Sequence, residues 1–223
     1  AKSVPITLVA AMPRPDGTIA LTGATVVTMR GDEVLEDATI VVTSNRISAV
    51  GPSQSVQIPE GARVIDVNGK TIIPGLIDAH AHIRGMPRDV LVEIAPEPLV
   101  NLAFGVTMAR DVNASTDQFH YRELIATGRM LGPRIFMTGP SQTSRAIKID
   151  TYEDAFAGVK RYVDRGSFST KQYLQPQRRQ IKWMLQPADQ LGINTTAEGG
   201  GIMRQVSRVL AGDTGFEHAP TDL

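Results

Sequence analysis

The sequence has no cysteine in its 223 residues. That excludes a disulfide framework, a cysteine-built zinc ribbon and thiol catalysis. It has no surplus of either charge, since 23 Lys and Arg balance 23 Asp and Glu. A binder of nucleic acid or of an anionic membrane normally carries a basic excess, so neither partner is expected. No apolar run approaches the ~20 residues of a membrane-spanning helix. The opening, AKSVPITLVA, has no Met and no signal-peptide order, so the chain reads as processed or as cut from something larger. No Gly-x-Gly-x-x-Gly follows the first strand, which removes the main support for a dinucleotide-binding fold. Histidine is scarce: only His80, His82, His120 and His218.

What is present divides into three stretches. Residues 1–17 hold Pro5, Pro13, Pro15 and Asp16-Gly17, a linker-like composition. Residues 18–73 are rich in Val, Ile and Thr, with turn signals at Gly31-Asp32, Ser44-Asn45 and Asn68-Gly69; this predicts a small antiparallel sheet. From Pro74 onward apolar runs alternate with amphipathic stretches, the rhythm of β/α units. The strand candidates are 71–82, 106–111, 134–138, 169–173, 193–198 and 215–219. Helix starts are expected at Ser115, paired with Gln118, and at Asp150, paired with Glu153. Gly105, Gly132-Pro133 and Gly192 read as stops before new strands, and Pro187 is expected to split the helical stretch 177–191 in two. The resulting fold class is α/β: a (β/α)8 barrel of the TIM type, preceded by part of a small β-sandwich. Such a barrel needs eight units and about 250 residues, so residues 74–223 are expected to supply about six units.

Chemistry concentrates at the end of the first barrel strand. Residues two apart on a strand share a face, so Asp78, His80 and His82 are expected to project together. Two imidazoles so placed can reach one cation at about 2 Å, at the strand end where barrel active sites are built. The spacing alone fits equally well two strand-end histidines that hold nothing.

The run IIPGLIDAHAHI, with these histidines, resembles the metal-site strand of the amidohydrolase superfamily, in the branch of imidazolonepropionase-like and Xaa-Pro-dipeptidase-like enzymes. GATVVTMRGDEVLEDATIVVTSNRISAVG is similar to the first half of that family's small β-sandwich, and GVTMARD, GPRIFMTGP, KQYLQPQRRQ and TGFEHA follow in the family's order. The likeness is greatest to members that follow a TolB-like propeller, which makes residues 1–17 a linker or propeller remnant. It implies that His80, His82 and His218 ligate a divalent metal, zinc or another, as one or two ions. It also implies that Lys171 carries a bridging carbamate. At the fifth strand, where most relatives place a histidine ligand, this chain has Thr196; Glu198, on the same face, is a candidate ligand or a partner of one. Tyr173 and Arg178 are candidate substrate contacts. Gly199–Gly201 could present amides to an anion, or form a plain loop. The family's catalytic aspartate belongs to the eighth strand, expected beyond Leu223.

The implied activity is a metal-dependent hydrolase that cleaves an amide, peptide or cyclic-amide C–N bond through a metal-activated water. Its substrate would be a dipeptide or other small molecule, and its partners a second copy or the C-terminal remainder. By itself the 223-residue chain is expected to turn over poorly. The alternative is a catalytically incomplete piece acting as a structural or interaction part of a larger protein. The likeness to propeller-linked members favours a periplasmic or exported location.

Overall fold

The computed structural model describes residues 16–83, 92, 94–142, 149–173 and 177–222. The proline-bearing stretch 1–15 lies outside the described residues. The chain forms two compact units, divided between Gly75 and Leu76.

In the first unit, β1 (Thr18–Val27), β2 (Val34–Thr43), β3 (Arg46–Pro52) and β4 (Arg63–Asp66) make a sheet in the order β3-β2-β1-β4. A short β5 (Thr71–Ile72) also pairs with β1. The hairpins β1–β2 and β2–β3 are antiparallel. The second is closed by Ser44 and Asn45, both left-handed at φ 47° and 64°, the backbone of a two-residue turn whose twist matches its strands. The expectation of a wholly antiparallel sheet is corrected, because β4 and β5 run parallel to β1. The connection 53–62 carries the chain back along the sheet before β4 forms, so the strand re-enters in the direction of β1. Ala24, Val26, Ala38 and Ile40 form the buried core, with Leu35, Val42 and Ile72 packed on it.

In the second unit strands and helices alternate throughout. The order is β6 (Leu76–Ala81), α1 (Pro96–Ala103), β7 (Val106–Asp111), α2 (Gln118–Ala126), β8 (Arg134–Met137), α3 (Tyr152–Val163) and β9 (Ser169–Gln172). Then come α4 (Arg178–Gln190), β10 (Asn194–Ala197), α5 (Ile202–Val209) and β11 (Gly215–Phe216). Strands β6-β7-β8 form one parallel sheet and β9-β10-β11 another. A parallel bridge joins them: the Gln142 amide donates to the Lys171 carbonyl (2.7 Å) and the Tyr173 amide donates to the Gln142 carbonyl (2.8 Å). Among the described residues the strands do not close into a barrel. Every side chain of β9 is buried, on both faces, as expected for a parallel strand with helices on one side and a filled interior on the other.

Four local expectations are corrected. The run 71–82 is two strands, since Ile73, Pro74 and Gly75 intervene between β5 and β6, where proline offers no ladder donor. Helix α2 starts at Gln118 with Asp117 as its cap. The Ser115 amide does donate to Gln118 Oε1, but the bond closes the turn ahead of the helix. Helix α3 is capped one residue later than expected: Thr151 Oγ1 accepts from the Asp154 amide (3.1 Å) and Asp154 Oδ2 accepts from the Thr151 amide (3.0 Å), a full capping box. Pro187 does not split α4. It sits in the last turn, where the bond it forfeits is near the helix end, and its ring is buried beside Met184 and Ala188. No described helix is long and apolar enough to cross a membrane.

Candidate metal centre

The strand ends of the second unit bring the sequence-selected residues together. β6 slips by one residue against β7 between Asp78 and Ala81, a bulge-like step that re-aims the side chains beside it. Asp78 therefore leaves the group it was expected to join: its Oδ1 accepts from the His80 amide (3.0 Å) and holds the local turn. The His80 ring lies 5.1 Å from His82, edge to face, and 4.8 Å from His218, centroid to centroid. Lys171, in β9, is buried with its Nζ 2.6 Å from Glu198 Oε2. Glu198 Oε1 is 3.3 Å from His218 Nε2, so one carboxylate connects the buried lysine to the half-exposed histidine. Tyr173 faces the same lysine, with Nζ 5.8 Å from its ring centre.

Two residues central to this arrangement were not singled out from the sequence. Glu217 follows β11 with its side chain only 4% exposed. Arg110, near the end of β7, grips it with both terminal nitrogens, at 2.9 Å to Oε2 and 2.7 Å to Oε1. The Thr196 hydroxyl donates to Glu217 Oε1 and accepts from Arg110 (3.3 Å). Glu217 Oε2 in turn lies 3.2 Å from His80 Nδ1. Thr196, which stands where the family resemblance leads one to expect a ligand histidine, is thus committed to a buried carboxylate. A partial sequence signal existed: Arg110 falls near the C-terminal end of its strand candidate, where barrel chemistry gathers, and Thr196 and Glu217 lie within theirs.

The electrostatics follow from burial and these neighbours. Burial is the largest influence on Glu217 and pushes its carboxyl up. The hydrogen bonds from Arg110 and Thr196, with the charges of Arg110 and His80, outweigh it and hold the group below the ordinary value. His80 is held low by burial first, then by the charge of Lys171 and by His218 and His82, against the pull of Glu217. Its ring is accordingly neutral near pH 7, the form that ligates metals. Deeper still, Asp111 accepts from the Ile83 amide (2.9 Å), the Asn113 amide (2.9 Å) and Gln118 Nε2 (3.0 Å). It thereby fixes the backbone that leaves His82.

His80 Nε2 and His82 Nδ1 are buried and have no hydrogen-bond partner among the described residues. A buried polar nitrogen without a partner is costly, and two in adjacent rings are the donor type a divalent cation takes. Among the described residues no three His, Asp or Glu side chains are gathered about one point, and Lys171 and Glu198 are engaged with each other. Arg178 is not brought to this cluster; it lines an outer groove with Lys182, Gln186, Asp189 and the end of α5. Nor does the glycine run await an anion, since Asp222 Oδ1 already accepts from the Ile202 amide (3.0 Å) at the start of α5.

No family model matches the chain. Individual proteins do. An imidazolonepropionase of Rhizobium rhizogenes is 43% identical over 54 residues, 24% of this chain and 13% of that protein. Adenine deaminase 2 of Bradyrhizobium sp. (strain ORS 278) is 27% identical over 152 residues, 63% of this chain and 25% of that protein. Among solved structures, a Bifidobacterium longum protein provisionally assigned as a prolidase superposes with a TM-score of 0.74 at 26% identity, over 91% of this chain and 54% of that one. The chain therefore spans well under two thirds of the proteins it matches. The shared succession of β/α units and the sequence matches point the same way: the chain is similar to proteins of the amidohydrolase superfamily.

Proposed function

We propose that the protein forms the first six units of a (β/α)8 barrel hydrolase that uses one or two divalent cations, zinc or a close equivalent, to cleave a C–N bond. The substrate would be a small amide such as an Xaa-Pro dipeptide or a cyclic amide. One observation carries this reading: two adjacent imidazoles each hold a buried nitrogen with no hydrogen-bond partner among the described residues. His80 and His82 would hold the ion, with His218 beside them. Lys171 would join as a carbamate: its ammonium, 2.6 Å from Glu198 Oε2, would first lose a proton, and the free amine would then form an N–C bond to CO2 with release of a second proton. When bound, such an ion acidifies water and polarises a scissile carbonyl.

The chain's own residues would prepare that step. Burial, the largest influence on the ring, keeps His80 unprotonated, so its lone pair is available. Tyr173, 38% exposed beside Lys171, would contact substrate, and His218, half-exposed, would meet it at the open side. Plasma mass spectrometry of the purified protein should find about one ion per chain, lost in the His80→Ala/His82→Ala double variant. Unchanged metal content in that variant would overturn the assignment.

A further inference from the structure

We propose that Glu217 is the positioning residue of His80: its carboxylate faces Nδ1 and holds the ring proton there, which leaves the Nε2 lone pair free for the cation. This rests on the reading of His80 as a metal ligand given above. Glu217 is held from behind with unusual completeness. Oε1 receives Arg110 and Thr196, and Oε2 receives the second arm of Arg110 (2.9 Å), which leaves His80 Nδ1, at 3.2 Å, as the remaining group it faces. A carboxylate whose two oxygens are already occupied is badly placed to ligate an ion and well placed to hold an imidazole.

Arg110 does more than neutralise it. The same Nη that grips Oε2 also donates to the Ala79 carbonyl (3.2 Å), the peptide oxygen directly before His80. The guanidinium also lies 5.8 Å from the Phe168 ring centre. One side chain therefore fixes both the backbone that carries His80 and the carboxylate behind its ring. Burying an ion pair gives little stability over apolar packing, so stability alone is a weak reason for this one. A carboxylate on one ring nitrogen with the opposite nitrogen unpartnered is the outer half of a carboxylate–histidine–metal arrangement. There the carboxylate fixes the tautomer and raises ligand basicity.

The test uses the full chain, stripped of metal and labelled with 15N. Long-range 1H–15N spectra report the protonated nitrogen of each of the four histidines, and His80 is assigned by the signal missing in His80→Asn. The expected result is a proton on Nδ1 and none on Nε2 in the wild type. In Glu217→Gln the population should move toward Nε2–H, and zinc affinity, read by competition with a chromophoric chelator, should fall 10–100-fold. Because Glu217→Gln strands the Arg110 charge, Arg110→Met/Glu217→Gln is run beside it and should show the same tautomer change. A wild-type His80 protonated on Nε2 overturns the proposal without any variant, as does a variant with unchanged tautomer and affinity. The two readings separate cleanly. If His80→Asn binds zinc like the wild type, the metal-site reading falls; if His80→Asn loses zinc while the wild-type ring carries its proton on Nε2, only the role of Glu217 falls.

Discussion

The buried pair Arg208–Asp213 stands between α5 and β11 and offers a sharp test of how the strand ends are held. Arg208, in α5, places Nε 2.7 Å from Asp213 Oδ2, with side chains 3% and 0% exposed. Asp213 introduces Thr214, whose amide and hydroxyl both donate to the Thr195 carbonyl (3.0 and 2.6 Å), and the chain then runs through β11 to Glu217 and His218. At that separation and an effective dielectric of 20 the attraction is about 6 kcal/mol, while desolvation takes back several kcal/mol for each ion. Burial leads in both groups, pushing the Asp213 carboxyl up and the Arg208 guanidinium down, so the pair is close to break-even. Removing one partner is another matter. Arg208→Met strands a carboxylate in the interior and should cost about 3–5 kcal/mol. At roughly 2–4 °C per kcal/mol for a chain of this size, the thermal midpoint should fall by ~10 °C. Arg208→Met/Asp213→Leu removes both charges and should recover most of that loss. The sign of the pH dependence follows as well. The folded protein holds the Asp213 proton above the ordinary value of about 4, so this group's contribution is full at lower pH and declines as pH rises through the raised value. The double variant should lack that slope. A single variant within 2 °C of the wild type, or a double variant as unstable as the single, would refute the reasoning.

Other perturbations have equally definite outcomes. If Lys171 takes up CO2, apoprotein reconstituted with zinc should regain metal faster and more fully with bicarbonate than without; equal uptake marks it as an ordinary lysine. At the β2–β3 turn, Asn45→Val should lower the stability of the first unit, read from urea unfolding, by about 1–2 kcal/mol, because a branched side chain resists a left-handed backbone, whereas Asn45→Gly should hold or raise it. Gly139 has φ 74°, and an added Cβ would stand 2.9 Å from Tyr162 Cδ1. Gly139→Ala should therefore cost about 2 kcal/mol in thermal unfolding, combining backbone strain and overpacking.

The fold was legible wherever one residue's preference decided the outcome. Gly105 and Gly192 adopt φ of 80° and 68° directly before β7 and near the start of β10, as stops read from sequence should. Val106–Asp111 is a strand with the expected limits. Legibility failed where two signals competed for one place. Thr151 and Asp154 outbid Asp150 and Glu153 for the α3 cap, because spacing alone does not say which hydroxyl or carboxylate reaches the amides. Pro187 misled because its effect depends on distance from the helix end, and the end of α4 is set by packing beyond the periodic pattern. The direction of β4 was illegible for a related reason: strand pairing depends on where a connection returns the chain, which local propensity does not encode.

The site divides along the same line. Histidines two apart at a strand end carry their chemistry in their own spacing, so His80 and His82 could be picked out, and the resemblance supplied Lys171 and His218. Arg110, Thr196 and Glu217 lie far apart in the chain, and each alone is unremarkable at a strand end. Their meaning appears only when β7, β10 and β11 set the guanidinium, hydroxyl and carboxylate within bonding distance. Thr196 shows the consequence most plainly. Judged against the family pattern it is a missing ligand, and on that view the centre is depleted. In the folded chain its hydroxyl completes the clamp on Glu217, so replacing it with histidine would set a larger ring where Arg110 and Glu217 now meet it. Thr196→Val, which keeps the shape and deletes the hydroxyl, separates the two views. If Thr196 serves the clamp, the variant should weaken zinc binding while lowering stability by no more than about 1–3 kcal/mol. If the position is merely an absent ligand, zinc affinity should not change.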